Sequence, residues 1–512
     1  MFVRKKRNQR GSVSVQIIDK SRRYQVVRTI GCSKHPDEIE RFFQQGRAFI
    51  SRHQNQFSLF PKDQTGNGVV EDFISGLSNS QIRTIGPELI FGTLFDKIGF
   101  NVIPDRLFRD IVIARLAYPT SKLKTIDYLY RYRGIQQDLD SLYRFLDKFH
   151  HSYKDQTEEI SYQWTRRQLK TISIVFYDIT TLYFEAEDED DLRKIGFSKD
   201  GKFQHPQIML GLLVGKGGYP IGYDIFEGNT FEGHTLMPTL EKIQKKYGFK
   251  NPVVVADAAL LSKKNLESLA EAQYSFIVGA RIKNEANVIK AKILKQGKGM
   301  KDGDSFSIKK EDGTKLVITF SATRAQKDAY NRERGLRKLK KRIQFGRLTK
   351  EHINNRGYNK FLFLTGEVTI TLNEKKIKED AMWDGLKGYI TNTRLSPKTI
   401  VENYRELWRI EQAFRISKTD LRIRPIFHYR KRRIEAHICI AFVAYTIYKE
   451  LEHLLTQANF KMSPKRAAEL THNMYQLHYS LPDDPLPKKV ILKMDAEQKA
   501  LFNLLHQTQG VP

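Results

Sequence analysis

Thr171-Ile-Ser-Ile-Val-Phe-Tyr-Asp-Ile-Thr-Thr-Leu-Tyr-Phe184 is apolar on both of its alternating faces, the pattern of a strand buried in the middle of a sheet. An acidic loop, Glu187 to Asp191, follows it. Gln207–Val214 and Tyr219–Phe226 are two further strand-like runs joined by Gly215-Lys-Gly-Gly218, which predicts a hairpin. Thr235–Tyr247 has Leu236, Leu240 and Ile243 at helical spacing. Pro252-Val-Val-Val-Ala-Asp257 is a short buried strand, and Ser262 stands where an N-cap belongs before a helix over Lys263–Ala272. Tyr274–Ala280 closes the set as another apolar strand.

Three antiparallel strands, helix, strand, helix, strand is the element order of a ribonuclease-H-like α/β core. A later stretch, Asn403 to Lys418, would complete it. Leu407, Ile410, Phe414 and Leu421 build one apolar stripe, and Tyr404, Glu411 and Lys418, each seven apart, stack along the side beside it. Outward from this core, the chain divides by texture. Residues 1–65 suggest a basic tip, a hairpin and a helix. Residues 66–85 read as a Gly/Ser/Asn-rich linker, and 86–165 as a small helical domain whose arginines and lysines suit DNA contact. The first part of the core spans 166–282, a mostly β insertion 283–398, and the last core helices 399–460. A helical tail, 461–512, is a candidate for dimerisation. Within the insertion, the basic run Arg324 to Lys350 carries Leu336, Leu339 and Ile343, which predicts a docked helix with a cationic outer side rather than a free one.

The chemistry rests on three acids. Asp178 lies inside the first strand on the face of Ile174 and Phe176, where an unpartnered charge is costly to bury. Asp257 ends a strand, at the edge where parallel strands deliver residues to a cleft. In this fold Glu411 would approach both from its helix. Three carboxylates at one point repel unless divalent cations neutralise them, and hard oxygen donors suit Mg²⁺ or Mn²⁺. Two such ions can serve a phosphodiester without a histidine base. The bland alternative is three unrelated acids in caps and salt bridges; the common element order weighs against it.

Lys plus Arg number 87 against 58 Asp plus Glu, a net charge of +29. That makes a polyanion, nucleic acid first, the expected partner. Cys32 and Cys439 are too few for a disulfide framework or a cysteine metal site. No leader-like apolar segment and no membrane-length run stands out, so a soluble intracellular protein is expected.

The residues also carry a resemblance. Pro119-Thr-Ser-Lys-Leu, Tyr177-Asp-Ile-Thr-Thr, Gly196-Phe-Ser-Lys-Asp, Glu227-Gly-Asn-Thr-Phe-Glu-Gly-His-Thr-Leu, Val255-Ala-Asp-Ala-Ala, Ile410-Glu-Gln-Ala-Phe-Arg-Ile-Ser-Lys and Arg424-Pro-Ile-Phe-His resemble the DDE transposases of the IS4 superfamily, most closely the IS1634-like group. The resemblance implies that Asp178, Asp257 and Glu411 form the metal-binding triad for two Mg²⁺ (or Mn²⁺) ions. It implies cleavage at transposon ends, then attack of the freed 3′-hydroxyl on target DNA, with a homodimer on paired double-stranded ends. It gives Tyr404 and Lys418 a grip on the DNA end. The arginine of the last motif is replaced by Leu407, so its contact is either absent or taken over by Arg405, Arg409 or Arg415. Ala259 fits the family pattern after the second aspartate, while Ser262 stands where an aromatic is usual. Trp383 is a candidate to stack on a displaced base, with a buried core tryptophan as the ordinary alternative. The expected location is the bacterial cytoplasm, near the nucleoid. His205, Lys199 and His234 lie close to the expected cleft without an assigned role. The rival readings are a DNA-binding protein that has lost the chemistry and a plain nuclease of the same fold.

Overall fold

The structure, a computed structural model, describes every residue except 10, 21–23, 54–72, 249, 251, 259–261, 355, 366–368, 482–483 and 507–512. Part of the expected linker and Ala259 therefore lie outside the described residues. The chain forms two compact units.

The first unit comprises residues 1–85, 130–135 and 474–494. Phe2–Arg7, Val13–Asp19 and Gln25–Ser33 form an antiparallel sheet, so the basic tip is itself a strand, and the helix Pro36–His53 follows. Ile82–Thr84 pairs with Tyr475–Leu481, which in turn pairs with Asp484–Ile491. The tail expected to be helical is thus helical at Pro464–Thr471 and Ala496–His506 and stranded between them. The apolar residues Tyr475, Leu477, Tyr479 and Leu481 alternate, as a strand requires.

The second unit holds the rest of the chain. Among the described residues its main sheet has eight strands. Five are the expected core: β1 (Ile174–Tyr183), β2 (Gln207–Val214), β3 (Pro220–Glu227), β4 (Val253–Ala256) and β5 (Ser275–Ala280). β1 pairs antiparallel with β2 and β2 with β3, while β1–β4 and β4–β5 are parallel. The spatial order β3-β2-β1-β4-β5 is ribonuclease-H-like, as the element order predicts. Every residue of β2 is buried, which explains its unbroken apolar run.

Three strands expected in a separate insertion extend this same sheet. β6 (Ser305–Lys309), β7 (Lys315–Phe320) and β8 (Leu386–Thr391) add antiparallel to the free edge of β5 through β8, with Gly388 opposite Ala280 and Ile390 opposite Val278. Their side chains Leu316, Ile318, Leu386 and Ile390 share one apolar core with Val175, Val254 and Phe276. That continuity covers an edge that would otherwise present unpaired backbone groups. The remainder of the insertion includes the helix Ala322–Gln344, seated by Leu336, Leu339 and Ile343 on Phe361 and Leu362, as its apolar positions predict.

The helices Arg106–Ala117, Leu139–Ser152 and Lys154–Leu169 surround Lys431–Gln457. That helix is apolar nearly all round, the signature of a buried element. Asp147 clamps its start, accepting from Arg432 Nε at 2.8 Å and Arg433 Nη2 at 2.8 Å. No helix among the described residues is long and apolar enough to cross a membrane.

Candidate active site

The parallel pairing of β1 and β4 sets Tyr177 opposite Ala256. The next residue along each segment is an aspartate: Asp178, still within β1, and Asp257, which follows the last residue of β4. The two therefore stand near each other at the carboxyl end of β4, where the charge of Asp257 acts on Asp178. Asp178 is half-buried, and its Oδ1 accepts from the Ile179 amide at 2.8 Å. Burial pushes its carboxyl up to about 6; nearby Lys199 and the Ile179 amide oppose the rise, while the charges of Asp257 and Glu232 add to it. Lys199 Nζ donates to the Ile179 carbonyl at 2.7 Å and pairs with Glu232 at 3.0 Å. Asp257 is exposed, and its Oδ1 accepts from the Ala258 amide at 2.6 Å and from the Tyr404 hydroxyl at 3.3 Å.

The Glu411 segment departs from the expected single helix. Pro397–Arg405 ends at Glu406, Trp408–Arg415 begins after a break, and Ile416–Asp420 forms a wide π-helical turn. Across the break Leu407, Arg409 and Ile410 donate to carbonyls three residues back, at 3.1, 2.9 and 3.1 Å. Such turns advance about 120° per residue instead of about 100°, and the π turn unwinds the chain again. The seven-residue stack of Tyr404, Glu411 and Lys418 is therefore lost, and each has its own surroundings. Tyr404 is buried over Gly279, where an added Cβ would lie 2.6 Å from its hydroxyl. Burial first, and then Asp257, push its phenol well up. Glu411 is exposed.

Lys387, on β8, is a site residue the sequence reading missed. Its Nζ lies 4.4 Å from the centre of the Tyr404 ring. Burial and then Arg324 push its ammonium down, while the charges of Asp257 and Glu411 draw it back up, so both acids lie within its electrostatic reach. Only the joining of β8 to β5 carries this lysine to the cleft, and no local motif announces it. Asp200 was likewise unassigned, within the quoted Gly196–Asp200 motif. It accepts Lys418 Nζ at 3.1 Å and Arg424 Nη1 at 2.8 Å.

A cleft of about 920 Å³ opens beside Asp257 and is lined by Tyr404, Lys387, Arg324, Arg332 and Trp383. Trp383 lines it while packing on the core. Arg405 and Arg415 are exposed, and Arg409 pairs with Glu406 at 3.1 Å over the Trp408 ring. Leu407 is buried in the core. His205 packs near Tyr183 and His234 near Phe231. The acidic loop closes on itself: Asp190 accepts from the Leu192 and Arg193 amides and pairs with Arg193 at 2.7 Å.

Among the described residues, no three His, Cys, Asp or Glu side chains are grouped closely enough to hold a metal ion. Asp178 and Asp257 alone do fit a hard divalent cation. They are adjacent oxygen donors, and one is pushed toward neutrality by burial and by the other's charge, a strain that a cation would relieve. Glu411 stands apart from that pair.

The chain belongs to the DDE transposases: the family described as "Transposase DDE domain" matches residues 169–447, more than half its length. That match spans the eight-stranded sheet, both aspartates and Glu411. Among solved structures it is similar to a piggyBac transposase synaptic complex with hairpin DNA, at 9% identity, 84% of this chain, 82% of that chain and a TM-score of 0.37. It is also similar to a Mos1 transposase paired-end complex with the left transposon end, at 13% identity, 46% of this chain, 71% of that chain and a TM-score of 0.16. A Mos1 mariner paired-end complex with Mn gives 14% identity, 46% and 72% coverage and a TM-score of 0.15. No curated protein matches the chain.

Proposed function

We propose that this chain cuts the ends of an insertion sequence of the IS4 superfamily, IS1634-like group, and joins their 3′-hydroxyls to target DNA. The observation that carries the reading is the side-by-side placement of Asp178 and Asp257 at the end of β4. In this reading Asp178, Asp257 and Glu411 hold two Mg²⁺ or Mn²⁺ ions, which when bound activate the attacking oxygen and stabilise the leaving one. The chain's own residues do the rest. Asp178 and Asp257 fix the reacting point by strand register. The Trp408–Arg415 helix, flanked by a break and a π turn, brings Glu411 to them when DNA fills the cleft. Tyr404 holds Asp257 in place and, with Lys418, meets the DNA end. Arg405, Arg409 and Arg415 supply phosphate contacts where Leu407 supplies none, and Trp383 stacks on a displaced base. Two copies act on paired ends in the cytoplasm, at the nucleoid.

The test uses purified full-length protein and a duplex carrying the DNA that flanks the gene, with Mg²⁺. Wild type is expected to nick and join. Asp178→Asn, Asp257→Asn and Glu411→Gln should each lower cleavage by on the order of 10³-fold or more while binding persists. Robust cleavage by any of them sinks the triad; cleavage without joined products would leave a nuclease.

A further inference from the structure

Away from the acidic cleft, the second unit gathers Arg115, Lys122, His428 and His437, each 7% exposed or less. Lys122 Nζ lies 3.3 Å from His437 Nδ1, and His437 Nε2 donates to the Ile423 carbonyl at 2.9 Å. That second bond leaves the Nδ1 lone pair facing the lysine. Arg115 Nη1 donates to the carbonyls of Leu421 and Arg422 at 3.3 and 3.2 Å. Among the described residues no carboxylate hydrogen-bonds or ion-pairs with Arg115 or Lys122, and the charge of Asp147 reaches only as far as His428. Burial pushes Lys122 well down and Arg115 down to about 10, each without an acidic group to offset it.

Buried cations without a counter-charge are costly, and an anion removes that cost. A cavity of about 500 Å³ opens onto this cluster. Its mouth carries the exposed Arg422 and two apolar side chains, Phe427 (62% exposed) and Leu123 (65%). Arg424, also on the lining, pairs with the same Asp200 that holds Lys418, so the pocket adjoins the Lys418 side of the candidate site.

We propose that this pocket seats a backbone phosphate of a DNA strand against Lys122, Arg115 and Arg422, with the adjoining sugar or base resting on Phe427. The apolar rim favours a nucleotide of a strand over a free phosphate ion, because stacking on an exposed ring rewards a base. The assignment rests on the reading of DNA as partner, but on none of the cleavage chemistry.

Binding of a short oligonucleotide of arbitrary sequence, single- and double-stranded, is measured with the full chain in EDTA, so that cleavage plays no part. Lys122→Met and Arg422→Ala are each expected to weaken binding about tenfold and to lower the salt slope by about one. Inorganic phosphate should raise the melting temperature of wild type and not that of Lys122→Met. Arg422 is exposed, so its variant decides the matter if Lys122→Met fails to fold. Unchanged affinity and slope in folded variants overturn the pocket while sparing the transposase reading. Stabilisation by phosphate, with DNA binding indifferent to both substitutions, reduces it to a free-anion site and overturns the DNA assignment. A wild type that binds no DNA removes this proposal and the functional reading together.

Discussion

Asp178 sits on a strand and Asp257 directly follows the strand paired with it, so strand register holds the two near each other, whereas Glu411 rides a helix of eight residues between a break and a π turn. The first two positions are fixed by the fold itself. The third is set by a short helix packed on β1 and β2, and the changes of winding at its two ends are where its backbone is expected to adjust. One region is a frame and the other a part expected to move, although all three acids would serve one reaction.

The sharpest way to break that contrast is to change side-chain length by one methylene. Asp178→Glu, on a rigid strand, should lose cleavage by on the order of 10³-fold. Glu411→Asp, on an adjustable helix, should lose only about 10- to 100-fold, since an ångström of misplacement costs roughly 10²-fold when nothing can compensate. Single-turnover cleavage rates check this, and equal losses would erase the distinction. Next in size is the contact of the sheet with the helix that precedes the break. Gly279→Ala places a methyl against the Tyr404 hydroxyl and should destabilise by about 1–3 kcal/mol in urea unfolding. Adding Tyr404→Phe should recover part of that loss, and no recovery would show that Tyr404 does not press on β5.

Smaller still is an acid-range effect beyond the movable part, where Asp147 holds Arg432 and Arg433. Hydrogen bonds from Arg433 and then Arg432 keep its carboxyl down at about 2, against an ordinary value of about 3.9. A depressed native value means the clamp stabilises fully above about pH 4 and its contribution is lost as pH falls toward 2. Thermal melts of Asp147→Asn should therefore differ from wild type at pH 5 and converge with it at the acid end. The smallest expected change is in Lys418→Gln, which should lower the salt slope of DNA binding by about one. An unchanged slope would leave Lys418 as a partner of Asp200 alone.

Much of this was legible in the residues, for reasons that also mark the boundary. β1, β2 and β4 announce themselves because strands buried on both faces are continuous apolar runs, and the order of elements then dictates which edge carries Asp178 and Asp257. The partner of a strand is not written in its own pattern, so β6, β7 and β8 were recognisable as strands but not as a continuation of the core sheet. Lys387 stayed hidden with them. The heptad spacing of Tyr404, Glu411 and Lys418 assumed uniform winding, and three tight turns followed by a π turn undid it. Tyr475 to Leu481 alternated visibly and went unread beside a helical tail.

The pairing of Ile82–Thr84 with Tyr475–Leu481 has a consequence for how the polypeptide is made. During synthesis the early strand leaves the ribosome long before its mate exists, so this small sheet can close only after Tyr475–Leu481 has emerged. A loop of that length is slow to close entropically. Nascent or truncated products that stop short of Tyr475 would therefore expose Ile82–Thr84 as an open strand edge, and only the arrival of Tyr475–Leu481 can cover it.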